Sequence, residues 1–162
     1  IEGVLVTHAT IVTQLKYKDL IYNPHYPQSF VQHLDKNSCA MVLHTCLKHK
    51  VQICVTSTLR TSDWVLLELL NQFQLIAPNH NLTKLFHTDW RTGHENDREE
   101  EILDHVRRNN VEQYVVVDDR VLTIENFVRI DQCNGFSFRD YLVCEKFVAD
   151  DPQRIKPELI FM

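Results

Sequence analysis

Short apolar, β-branched runs alternate with longer stretches of helical periodicity, and this alternation restricts the chain more than any other feature. Residues 51–56 (VQICVT) and 113–117 (QYVVV) are bounded by polar residues and have the length of fully buried strands. Residues 83–88 (TKLFHT) and 127–130 (FVRI) are shorter strand candidates, and the opening run 1–6 (IEGVLV) reads as the end of a buried strand turning at Gly3. Helical patterns fill the intervals. Residues 29–49 present Phe30, Val31, Leu34, Val42, Leu43, Cys46 and Leu47 on one face, with a break near Asn37. Ser62 is the expected N-cap of a helix over 63–73, and Asp97 of one over 98–109 with Glu100 at the reciprocal position. Ser137 and Asp140 make a capping box for a helix over 138–149. Such alternation predicts an α/β fold, a mostly parallel sheet covered by helices on both faces. The expected organisation is one domain over 1–149, with 7–29 as a long loop and 150–162 as a C-terminal tail.

Composition narrows the function classes. A net charge of −5, from 17 basic and 22 acidic residues, argues against nucleic-acid binding by bulk charge, though not against a local basic patch. No apolar run reaches the length of a membrane span, so no membrane partner is expected. The five cysteines are scattered with no CxxC pair, which reads as reduced thiols and a cytoplasmic location. Cys39, His44, Cys46 and His49 do not share one helix face, so they read as structural residues and not as a zinc set.

In a parallel α/β sheet, ligands bind outside the carboxyl ends of the strands. Three such ends carry polar residues: Glu2 after the opening run, Thr56 with Ser57 and Thr58 after VQICV, and the pair Asp118-Asp119 after YVVV. Adjacent carboxylates repel, so ionising both favours a counter-cation. Hard oxygen ligands suit Mg²⁺, which binds through few carboxylates and retains waters. Hydroxyls and amides at a helix start suit phosphate oxygens. Each feature has a plainer reading. An acidic pair after a strand is commonly a turn opener, and Thr56 to Thr58 fit as turn and cap residues. Arg98 fits as a surface residue in a segment, 95–101, that holds five acids and reads as a solvated helix start. Arg107 and Arg108 close a helix, where positive charge suits the dipole. Trp64 and Trp90 read as packing residues.

The blocks IEGVLV, VTSTLR, DREEEIL and YVVVDD occur in an order that resembles the four motifs of the haloacid dehalogenase-like (HAD) superfamily. TSTLR, REEEI, YVVVDD and NGFSFRDY together are similar to the HAD domains of multifunctional RNA-repair proteins, over roughly residues 1–148. The resemblance implies a HAD-like Rossmannoid three-layer sandwich, nearly capless because 7–29 is too short for a large cap. It implies a Mg²⁺-dependent phosphohydrolase that works through an aspartyl-phosphate. The substrate would be a phosphomonoester such as a nucleotide or a nucleic-acid end. Thr56 would hydrogen-bond the transferring phosphoryl group and Arg98 would neutralise its charge. Asp118 would bind Mg²⁺ with Asp119 in support. Glu2 would give a backbone carbonyl to the metal and a side chain at the general acid/base position. Ser57 and Arg60 would contact substrate phosphate.

Two departures matter. The resemblance places the nucleophilic Asp immediately before Ile1, on a strand normally central in the sheet, so most of the first strand is expected upstream of the sequence shown. Position 2 is Glu where the pattern has Asp. The extra methylene displaces a carboxyl by about 1–1.5 Å, enough to cost roughly 10²-fold in rate. A degenerate HAD-like domain that binds a ligand or partner without turnover is therefore the alternative.

Overall fold

The computed structural model describes residues 4–5, 34–57, 60, 63–93, 97–148 and 158–162; the side chain of Trp64 is not included. Helix α1 (Lys36–His49) starts where the Asp35 carboxylate accepts the Ser38 amide at 2.7 Å. It is followed by β1 (Gln52–Val55), α2 (Asp63–Ile76), β2 (Phe86–Arg91), α3 (Arg98–Asn109), β3 (Tyr114–Asp118), β4 (Phe127–Arg129), α4 (Phe138–Val148) and β5 (Leu159–Phe161). The described strands form one sheet in the order β2-β1-β5-β3-β4, and every pairing between them is parallel.

The two-residue period of the strands sorts the core into layers. Ile53, Val55, Val115, Val117, Ile160 and Met162 belong to a core shared with α1, α2 and α4. Cys54, Val116, Leu159 and Phe161 face the other way and pack with Ile102 of α3. The molecule is thus a helix–sheet–helix sandwich with α3 alone on the second face among the described helices. None of those helices is long and apolar enough to cross a membrane.

Capping chemistry sets the helix ends. The Asp97 carboxylate accepts the amides of Glu99 and Glu100 at 2.8 and 3.2 Å, so α3 opens at Arg98. Asn110, at φ 52°, closes it in the left-handed region. The Asp140 carboxylate accepts the Ser137 amide at 2.9 Å, the reciprocal half of a capping box. The Ser137 hydroxyl also donates to Asp140 (2.6 Å).

Three expectations are corrected. The helix predicted over 29–49 starts only at Lys36, because Asp35 is extended and acts as its cap. The strand predicted over 83–88 runs instead over Phe86–Arg91. Asn81 accepts both the Thr83 amide and hydroxyl, holding that segment in a turn, and the ladder continues through Asp89, Trp90 and Arg91, where the charged Asp89 and Arg91 hide the strand pattern. The tail expected at 150–162 ends in the central strand: β5 pairs Ile160 with Ile53 on one side and Val115 on the other. Of the opening run, only Val4 and Leu5 are described; both are buried, with Val4 O accepting the Phe136 amide and Leu5 O the Asp35 amide. The loop 7–29 and the Ser62 cap lie outside the described residues.

Candidate active site

The carboxyl ends of β1, β5 and β3 lie side by side. The ladder continues past β5: the Met162 amide donates to Cys54 O (2.9 Å), and the Thr56 amide donates to Met162 O (2.6 Å). Thr56 follows the parity of Cys54, and Asp118 that of Val116, so both side chains belong to the sheet face covered by α3. They flank the column into which β5 points.

The first residue of α3 joins them. Arg98 Nη1 donates to Thr56 Oγ1 at 3.0 Å and to Asp118 Oδ2 at 2.6 Å. Thr56 and Asp118 are buried and Arg98 is nearly so, its side chain 11% exposed. This contact explains why Arg98 is not a solvated surface residue: the Asp97 cap aims the helix start at the strand ends. Asp118 Oδ1 accepts the Arg120 amide at 2.9 Å, which fixes the carboxylate from its other side. Asp119, next in the chain, is half-buried. Burial, then its hydrogen bond with Asp118 and the charge of that neighbour, raise the Asp119 carboxyl above the usual aspartate range.

Arg60 occupies a different place from the one expected of a substrate contact. It is buried, and its guanidinium makes six hydrogen bonds to the protein itself. Nη1 donates to the carbonyls of Thr56 and Ser57, Nε to those of Thr92 and Gly93, and Nη2 to Gly93 O and Glu101 Oε1 (2.7 Å). Burial lowers the guanidinium below the usual arginine range, against the pull of Glu101. Arg60 is the tie that holds the loops after β1 and β2 to α3. Ser57 is buried beside it. Glu2 lies outside the described residues.

Glu101 went unnoticed in the sequence. It sits three residues after Arg98 in what reads as a solvated acidic run, yet it is 6% exposed. Its Oε1 takes Arg60, and Oε2, which has no hydrogen bond, lies 3.9 Å from Arg98 Nε. Glu101 therefore holds two arginines in a line that ends on Asp118. The only available signal was the i, i+3 spacing from Arg98.

A second polar knot lies beneath α3. His105 is fully buried, with Nε2 3.6 Å from Cys54 Sγ and Nδ1 3.5 Å from Asp89 Oδ2. Burial lowers the His105 imidazole below its ordinary range and pushes the Cys54 thiol up, so both are neutral. A buried neutral thiol is a packing group.

The described residues hold no group of three or more His, Cys, Asp or Glu side chains arranged for a metal. The donor chemistry of Asp118 and Asp119 nevertheless fits Mg²⁺, which takes one or two carboxylates, waters and substrate oxygens. Each Asp118 oxygen has one protein partner and retains acceptor capacity. A cation here would offset the Asp118 charge, which adds to burial in raising Asp119.

The family described as the HAD domain in Swiss Army Knife RNA repair proteins matches residues 1–141. No curated protein and no solved structure matches the chain.

Proposed function

Since this chain belongs to the HAD domains of the Swiss Army Knife RNA repair group, we propose that it is a Mg²⁺-dependent phosphohydrolase acting on a phosphomonoester. The observation that carries this reading is the Thr56–Arg98–Asp118 cluster at the carboxyl ends of β1 and β3. Members of the superfamily commonly use Mg²⁺, and here Asp118 would hold it, supported by Asp119 and the Glu2 carbonyl. When bound, the ion would screen negative charge at the phosphoryl group.

The protein's own residues have distinct tasks. Thr56 Oγ1 is a hydroxyl donor at the edge of the column beyond Met162, where a phosphoryl oxygen would sit. Arg98 brings a fixed positive charge to the same place, and Glu101 with the Asp97 cap keeps it there before substrate arrives. Such prepositioned charge is what an anionic nucleophile needs to approach an anionic phosphate. In this reading Glu2 would serve as acid and base. On the same reading, the protein's substrates are nucleotides or 3′- or 5′-phosphorylated nucleic-acid ends, in a cytoplasmic setting.

Glu2 in place of Asp favours a second reading, a domain that binds phosphorylated ligands without turnover. Phosphate release from nucleotides and end-phosphorylated oligonucleotides, with Mg²⁺ against EDTA, separates the two. Release that requires Mg²⁺ supports the hydrolase; binding without release from any substrate supports the second reading.

A further inference from the structure

Asp119 opens onto a recess of about 440 Å³ whose walls, among the described residues, include Arg129, Ile130, Asp131 and Gln132. A second recess of about 570 Å³ adjoins it, sharing Arg129 and Asp131 and extending to Asn134 and Arg139. Both volumes suit a small-molecule ligand. Arg129 is the register partner of Asp118 across β3 and β4. Their Cα atoms are thus about one strand spacing apart, roughly 4.8 Å, and their side chains leave the same face of the sheet. The recesses begin at the candidate active site and lead away from it along the sheet edge.

The charges in the walls are not equivalent. Asp131 is engaged in its own turn, accepting the Cys133 amide and Asn134 Nδ2, both at 2.8 Å. Asp140 is engaged in the cap of α4. Arg129 and Arg139 are exposed, and among the described residues their side chains have no hydrogen-bond or ion-pair partner. Two guanidinium groups with no partner among the described residues therefore stand over a polar recess beside the site, next to the carboxylates of Asp119, Asp131 and Asp140. A free guanidinium offers a planar fork of donors that matches phosphate.

We propose that the double recess is the leaving-group subsite, and that Arg129, with Arg139 beyond it, grips a second phosphate carried by the substrate. This rests on the phosphohydrolase reading for the term "leaving group"; the anion subsite itself stands on the recess and its arginines. The preferred substrate is a phosphomonoester whose leaving group bears another phosphate. That phosphate is either a free terminal group, as in a nucleoside bisphosphate, or the phosphodiester of an oligonucleotide.

The test is calorimetric binding to the full chain with Mg²⁺, using adenosine 5′-monophosphate, adenosine 3′,5′-bisphosphate and a 5′-phosphorylated dinucleotide, alongside phosphate release from each. The second phosphate should tighten binding by about tenfold, the value of one charge-assisted hydrogen bond. Arg129→Gln should abolish most of that gain and Arg139→Gln part of it, while Arg107→Gln on the far end of α3 should leave the gain intact. A gain for both two-phosphate ligands assigns the subsite to phosphate in general; a gain for the dinucleotide alone assigns it to the phosphodiester. Equal affinity for all three ligands, or a gain that survives Arg129→Gln, overturns the proposal. A gain without phosphate release keeps the subsite and sinks the hydrolase. Mg²⁺-dependent release without a gain does the reverse.

Discussion

Arg60 and Arg98 show how little a residue's type says about its task. Both are arginines near the carboxyl end of β1, and both reach Glu101. Arg60 directs every guanidinium nitrogen to the protein, four backbone carbonyls and one carboxylate, whereas Arg98 ends on a hydroxyl and a carboxylate at the strand ends. Their substitutions should separate accordingly. Arg60→Gln leaves Glu101 and several buried carbonyls without their partner, and breaking a buried pair in this way costs about 3–5 kcal/mol. Arg98→Gln removes charge stabilisation at the phosphoryl position, which costs roughly 10²–10³ in rate. Urea midpoints and phosphate release on both variants check this. A larger stability loss in Arg98→Gln than in Arg60→Gln would reverse the assignment. At this scale the sequence revealed Thr56, Arg98 and Asp118 as a set only through the resemblance of their blocks, in order, to the HAD motifs. It could not reveal Glu101, because burial of an acid depends on which arginines the fold brings to it.

At the scale of elements, the strands and helices with strong local signals were legible in the residues. Helix α3 runs from Arg98 to Asn109 as its cap and periodicity predict, β1 lies within the first apolar run, and β3 covers the second from Tyr114 and ends one residue beyond it, on Asp118. Strand β2 was not legible where it is polar, since its pairing with β1 is a tertiary fact. Contacts between helices carry their own prediction. Glu145 of α4 binds Lys48 and His49 at the end of α1, the latter at 2.9 Å. Burial raises the Glu145 carboxyl, but the hydrogen bonds from Lys48 and His49 outweigh it and hold it below the usual glutamate range. A carboxyl lowered on folding contributes stability above its unfolded value, near 4.3, and loses it as pH falls through the folded value. The urea midpoint of the wild type should therefore exceed that of Glu145→Gln at neutral pH, and the difference should shrink in acid below about pH 4.3. A difference that widens on acidification contradicts this pairing.

For the whole molecule, the decisive element is β5. Strands β1 and β3 do not pair with each other; the three residues Leu159–Phe161 join them. Two prolines and an isolated apolar end, with no helix–strand periodicity around them, read as a tail, because nothing local says that a three-residue run will be central. Phe161 is fully buried and packs edge-on against His105 and Tyr114. Phe161→Ala should destabilise the protein by about 3–5 kcal/mol, while Leu142→Ala, on an exposed face of α4, should change stability by less than about 0.5 kcal/mol. Thermal or urea unfolding reads both, and equal effects would mean that β5 is not integral to the sheet. The same strand brings Thr56 and Asp118 to either side of one column, so the site depends on the sheet being closed at its centre.

We propose that Thr56, Arg98 and Asp118 form one site for Mg²⁺ and phosphate. Calorimetric titration of Mg²⁺ in the presence of inorganic phosphate, on the wild type and on Asp118→Asn, tests it without requiring turnover. Saturable Mg²⁺ binding in the wild type that is lost in Asp118→Asn is the predicted result. Equal Mg²⁺ binding by both proteins, or none by the wild type, would contradict the claim.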